Sequence, residues 1–172
     1  MAVTEGAPVL ALMLRKIAEC LCAAVNPDGD FCYCGVMLGQ QANPLGMLNC
    51  KERPCGVAWV RPAASYPSSG FSLPDEQGSG RSARSPLALQ IEVGVARCYP
   101  QPSGREMFVA PEKLAETADT VLTDMVAMRS AILCCIPKND PAWAGRQVEL
   151  GEWQPLPADG RVAGGVWSAW IG

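Results

Sequence analysis

Nine cysteines, at positions 20, 22, 32, 34, 50, 55, 98, 134 and 135, are the side chains of this chain best equipped for chemistry. Thiolates ligate metals, attack electrophiles or pair as disulfides. Cys32, Cys34, Cys50 and Cys55 together supply the four thiolates a structural zinc takes, although neither pair has the usual two-residue gap. Cys32 and Cys34 share a face only if their segment is a strand, and Cys20 and Cys22 diverge if theirs is a helix. Nucleophilic work by a thiol needs a base, and the sequence contains no histidine. Its absence removes the commonest general base and the commonest metal ligand together. An odd number of cysteines forbids a complete disulfide set within one chain. With no secretion signal, a reducing cytosol and buried free thiols are the expectation. A cysteine-based metal-binding module is the alternative of a different class.

The other candidate groups point to contact rather than reaction. Residues 67–85, PSSGFSLPDEQGSGRSARS, have no periodicity and exceed a common connection length. That loop holds Phe71, the adjacent carboxylates Asp75 and Glu76, and Arg81 and Arg84. Long irregular loops are often where binding resides. Gly160, Gly164 and Gly165 fall in a hairpin pattern and lack the strand-to-helix context of a phosphate-binding loop. Trp59, Trp153, Trp167 and Trp170 fall on strand patterns, where core or cross-strand packing is the ordinary role. Trp143 lies in a loop between Pro141 and Gly145 and suits a contact anchor. Arg61, beside Pro62, and Arg146, beside the Trp143 loop, complete the candidate assembly contacts.

These groups must be carried by a recognisable series of elements. Residues 1–6 read as a loose tail. Leu10, Leu14, Ile17, Leu21 and Ala24 recur on one helical face, which the turn residues 26–29 terminate. Residues 31–38 and 56–66 read as strands, with Pro62 confining part of the second to an edge, a bulge or a break. Residues 86–98 alternate strictly. Leu87, Leu89, Ile91, Val93 and Val95 form a core face, and Ala88, Gln90, Glu92, Gly94 and Ala96 form a small, polar face that is either wet or covered by a partner. Pro111 opens a second helix that Pro137 stops, with a stripe of Leu114, Ala118, Val121, Met125, Met128 and Ile132 that Leu122 and Val126 widen. Residues 147–170 read as a closing hairpin that turns at 157–160. The pattern specifies one α+β domain over residues 1–172, with a mixed, mainly antiparallel sheet of about four to five strands packed on two main helices.

At 172 residues the chain is long enough to bury a core without disulfides or metal. Charged residues are only 18% against 49% apolar, and with five tryptophans this suggests a surface partly covered by a partner. The net charge of −3 and the lack of a basic stripe give nucleic acid no electrostatic footprint. No apolar run reaches the roughly eighteen residues of a membrane span. Residues 7–25 carry Arg15, Lys16 and Glu19 and read as an amphipathic helix, not a signal peptide.

Four segments carry a resemblance. They are CGVAWVRPAASYP (55–67), PLALQIEVGVARCYP (86–100), ADTVLTDMVAMRSAILCC (118–135) and ELGEWQPLPADGRVAGGVWSAWIG (149–172). In this order they resemble the tail terminator proteins of long-tailed bacteriophages, especially those infecting actinobacteria. The resemblance implies a small domain that assembles with copies of itself into a six-fold ring. The ring caps the completed tail tube and joins it to the head-side connector or stopper protein. It implies a virion neck location, assembly in the bacterial cytoplasm, no catalysis and no cofactor, with DNA passing through the lumen without sequence-specific contact. The family's contact residues vary, so none is carried over. A head–tail stopper or a tail tube subunit is the neighbouring reading, although a tube subunit normally carries a long hairpin arm and the 67–85 loop is too rich in Gly and Ser to read as one.

Overall fold

The computed structural model describes residues 6–39, 55–68, 87–102, 104, 107–135, 145–157 and 161–172. Their elements are α1 (Gly6–Val25), β1 (Tyr33–Val36), β2 (Gly56–Pro67), β3 (Leu87–Cys98), α2 (Pro111–Cys134), β4 (Val148–Pro155) and β5 (Val162–Ile171). The strands form one sheet in the order β1-β2-β3-β5-β4. β1 is parallel to β2, and the remaining neighbours are antiparallel. This is the α+β architecture that the hydrophobic periodicity implies.

Both helices pack on one face of the sheet. From α1, the four-residue steps of Met13, Ile17 and Leu21 deliver three fully buried side chains. They meet Ala58 and Val60 of β2, Leu89, Ile91, Val93 and Val95 of β3, Ala169 and Ile171 of β5, and Met128, Ala131 and Ile132 of α2. Each large aliphatic side chain so buried contributes about 1.5–3 kcal/mol. The expected core face of β3 is therefore correct from Leu89 onward, while Leu87 is exposed.

The opposite face of β3 is covered by the chain itself over part of its length, while Gln90 and Glu92 stay half-exposed. Gly94 and Ala96 are buried there, under a second cluster built from Val57, Trp59, Ala96 and Val162 with Tyr33, Met37, Leu156 and Val166. The Trp59 indole lies so close over Gly94 that a Cβ at Gly94 would overlap it. Small residues on this face thus make room for an aromatic ring of the neighbouring strand. Pro62 behaves as its chemistry requires. β1 covers β2 only from Val57 to Val60, and the register against β3 shifts between Pro62 and Ala64.

Two expectations are corrected. The α2 stripe holds at Val121, Met125, Met128 and Ile132, which are half-buried or buried, but fails at its N-terminal end and along its widened flank. Asp124, Met128, Ala131 and Ile132 are buried, whereas Leu114, Ala118, Leu122 and Val126 are exposed. The physical reason is reach: residues 111–116 and 118–120 are all exposed, so the first half of α2 extends beyond the described core.

Most of the described cysteines are not free thiols. Seven of the eight described cysteines are disulfide-bonded, and Cys134 is the free one among them. Cys20–Cys135 ties α1 to the end of α2, Cys22–Cys34 ties α1 to β1, and Cys55–Cys98 ties β2 to β3. Their Cα–Cα separations of 6.2, 5.8 and 5.4 Å lie in the range that a disulfide spans without backbone movement. Cys20 and Cys22 do diverge on their helix, and that divergence lets one helix reach two different elements.

Candidate functional site

Two ion pairs lie on opposite faces of the sheet. On the helical face, β3 ends with Arg97 directed at Asp124 of α2. Arg97 Nε donates to Asp124 Oδ2 at 2.6 Å and a terminal nitrogen donates to Oδ1 at 2.8 Å. That same nitrogen donates to the Val25 carbonyl at the end of α1, 3.0 Å away. The guanidinium also lies 4.7 Å from the centre of the Phe31 ring. One side chain thus joins β3, α2, the α1 terminus and the approach to β1. The sequence does hold a signal for this site: Asp124 stands alone in an apolar helical stripe, and Arg97 falls on the core face of its strand.

On the other face, Arg61 of β2 and Glu92 of β3 are register partners. Arg61 Nε donates to Glu92 Oε2 at 2.6 Å, and another guanidinium nitrogen donates to the Gly39 carbonyl at 2.9 Å. Arg61 is only 5% exposed. It was expected among assembly contacts, yet its guanidinium is committed inside the chain and braces β2 against β3. Of the other candidate contacts, Arg146 is half-buried just before β4. Phe71, Asp75, Glu76, Arg81, Arg84 and Trp143 lie outside the described residues, so the structure brings none of these candidates together.

The surface with the strongest drive to be covered is one that the sequence reading placed in the core. Leu122 and Val126 on α2 are 52% and 56% exposed, and Leu114 joins them about two turns further out at the margin of exposure. In the approach to α2, Met107 and Phe108 are 83% and 80% exposed. Thr117, Thr120 and Thr123 turn their hydroxyls back onto the carbonyls of Lys113, Glu116 and Asp119. This satisfies those hydroxyls within the helix. Proline at the first helical position and Glu112 in the first turn suit the helix terminus, while Ala110 offers no side-chain cap.

The β4 edge differs in kind. Its exposed residues include Glu149 and Glu152, its ladder with β5 shifts between Leu150 and Trp153, and it ends on Pro155. Charge, irregularity and proline are the devices that discourage strand addition. The described surface therefore offers a helical apolar face for contact more readily than this edge.

The four-thiolate alternative meets a direct obstacle. Cys34 is bonded to Cys22 and Cys55 to Cys98, and Cys32 is disulfide-bonded too, so these sulfurs are not available as thiolates. Among the described residues no helix is long and apolar enough to cross a membrane. No protein-family model matches the chain, and no curated protein matches it closely enough to count as a relative.

Proposed function

We propose that this chain is a structural virion protein, a tail terminator that assembles into a six-fold ring capping the tail tube and joining it to the head-side connector. The observation that carries this reading is the outward apolar face of α2, at Leu114, Leu122 and Val126, on a chain whose ordered segments resemble that family. A ring subunit must bury surface on two flanks through heterologous contacts that close. A helix half that projects past its own core is suited to one of those flanks. The disulfides fit a particle that spends its extracellular life in oxidising surroundings, since such bonds persist on virion surfaces. Assembly takes place in the bacterial cytoplasm. The partners are copies of the chain, the tail tube protein and the connector or stopper. The lumen passes DNA without reading its sequence.

Cryo-electron microscopy of the particle that encodes the chain tests this directly. The chain is expected as a single six-fold ring at the junction of capsid and tail. Density for it along the tube, or anywhere remote from that junction, would replace this reading with another virion role.

A further inference from the structure

β1 is the most weakly seated strand of the sheet. It is four residues long, and all four residues are only half-buried. Its ladder is the short parallel one from Tyr33↔Val57 to Val36↔Val60. Parallel pairing is slightly less stable per residue than antiparallel, and Gly35 contributes no side chain to packing. Against this thin attachment stand two disulfide-bonded cysteines within three residues. Cys34 is joined to Cys22 of α1, and Cys32 is bonded as well.

The other described disulfides restrain nothing that would otherwise leave. Cys55–Cys98 joins β2 to β3, which are already laddered from Gly56↔Arg97 to Pro67↔Leu87. Cys20–Cys135 joins two helices whose buried faces share the main core. The Cys22–Cys34 bond is also reachable. It lines an open depression of about 490 Å³ with Arg15, Ala18, Glu19, Gly35 and Val36.

We propose that β1 is a redox-conditional cover on the edge of β2, stapled in place by its cysteines and released when a small thiol reduces them. The thiolate of a low-molecular-weight thiol enters the depression and attacks one sulfur of Cys22–Cys34. This forms a mixed disulfide and expels the other cysteine as a thiolate. A second thiolate attacks the mixed disulfide, leaves as the oxidised dimer of the reagent, and both cysteines end reduced. Released, β1 uncovers the backbone of β2 at residues 57–60, an apolar stretch with unpaired hydrogen-bonding groups. Release stops at Phe31, which stays seated against Arg97 and Gly56. The device is independent of the ring reading, because it requires only the described disulfides and ladder.

Hydrogen exchange with mass spectrometry on the full chain, oxidised and then reduced with a phosphine, is the test. Reduction is expected to speed exchange about tenfold or more in peptides covering residues 31–37 and 56–60, because local opening follows the loss of local tethers. Peptides covering 89–96 and 162–171 should keep their protection. The Cys22→Ser/Cys34→Ser double variant, which keeps the bond at Cys32, should speed exchange in the same two segments without reductant, but by less than full reduction does. Unchanged exchange at 31–37 in the reduced protein, a double variant as protected as the oxidised chain, or an equal loss across the central strands would each overturn the proposal.

Discussion

Among the described residues, Arg97 ties together more elements through one side chain than its sequence position suggests. Its guanidinium donates to the buried Asp124 carboxylate through two nitrogens, lies over the Phe31 ring, and donates to the last carbonyl of α1. Asp124 is only 4% exposed at its side chain while Arg97 keeps 27%, so the two ends of the pair are not equivalent. Removing one member of a buried pair strands the other, at a cost of about 3–5 kcal/mol. Asp124→Ala is expected near the low end of that range, because Arg97 retains some access to water. Urea unfolding should show the loss as a lower midpoint with an unchanged slope. Replacing both residues, Arg97→Met with Asp124→Leu, should recover most of it; an equal loss in the double variant would mean that the pair is not what Asp124 supplies. A second residue-scale prediction concerns Gly94. A Cβ there overlaps the Trp59 ring, so Gly94→Ala should cost about 1–3 kcal/mol by overpacking. Adding Trp59→Leu should reduce the penalty below the sum of the two single changes, because the clashing ring is then gone.

At the scale of elements, α2 divides into a half that builds the core and a half that does not. Met128 and Ile132 are fully buried, while Leu122 and Val126 face outward. Leu122→Asp and Val126→Asp should therefore each change unfolding stability by no more than about 0.5 kcal/mol, as surface substitutions do. Both should lower self-association measured by sedimentation velocity. A large loss of stability instead would mean that this face is already buried in the free subunit. The same helix shows where sequence was enough and where it was not. Periodicity located α2, its opening at Pro111 and the alternation of β3, because burial imposes those periods on any packed element; Pro137 lies outside the described residues. It could not say which part of a wide apolar stripe has a sheet beneath it, so Leu114 and Leu122 were expected inside. Nor could it show that the small face of β3 accommodates Trp59, since that depends on the β2–β3 register pairing Trp59 with Gly94. Arg61 looked like a surface contact because Pro62 suggested an edge; the register instead sets it against Glu92.

For the whole molecule, the decisive feature is that covalent links join elements distant in sequence. The expectation of a reducing compartment pointed to free thiols, but the spatial pairing of cysteines is a tertiary property that no spacing rule gives. Constraining the unfolded chain stabilises more as the closed loop lengthens. Cys20–Cys135 spans 115 residues, Cys55–Cys98 spans 43 and Cys22–Cys34 spans 12. Chain-entropy reasoning gives about 4.8, 4.0 and 2.8 kcal/mol respectively, so the first bond outranks the last by about 2 kcal/mol. Serine pairs that remove one bond at a time should lower the thermal midpoint in that order. Native-state strain weakens the correlation in practice, so the rank of the extremes is the stronger expectation. The position of each bond gives the prediction a second axis. Loss of Cys20–Cys135 leaves a helix pair that still buries Met13, Ile17, Met128 and Ile132, so the transition should stay cooperative while its midpoint falls. Loss of Cys22–Cys34 should lower the global midpoint least, because it closes the shortest loop and β1 adds no fully buried side chain. Calorimetry on the two variants separates these cases: a larger fall for the Cys22/Cys34 variant would show that β1 is integral to the cooperative core, and that loop length does not govern how these bonds stabilise the chain.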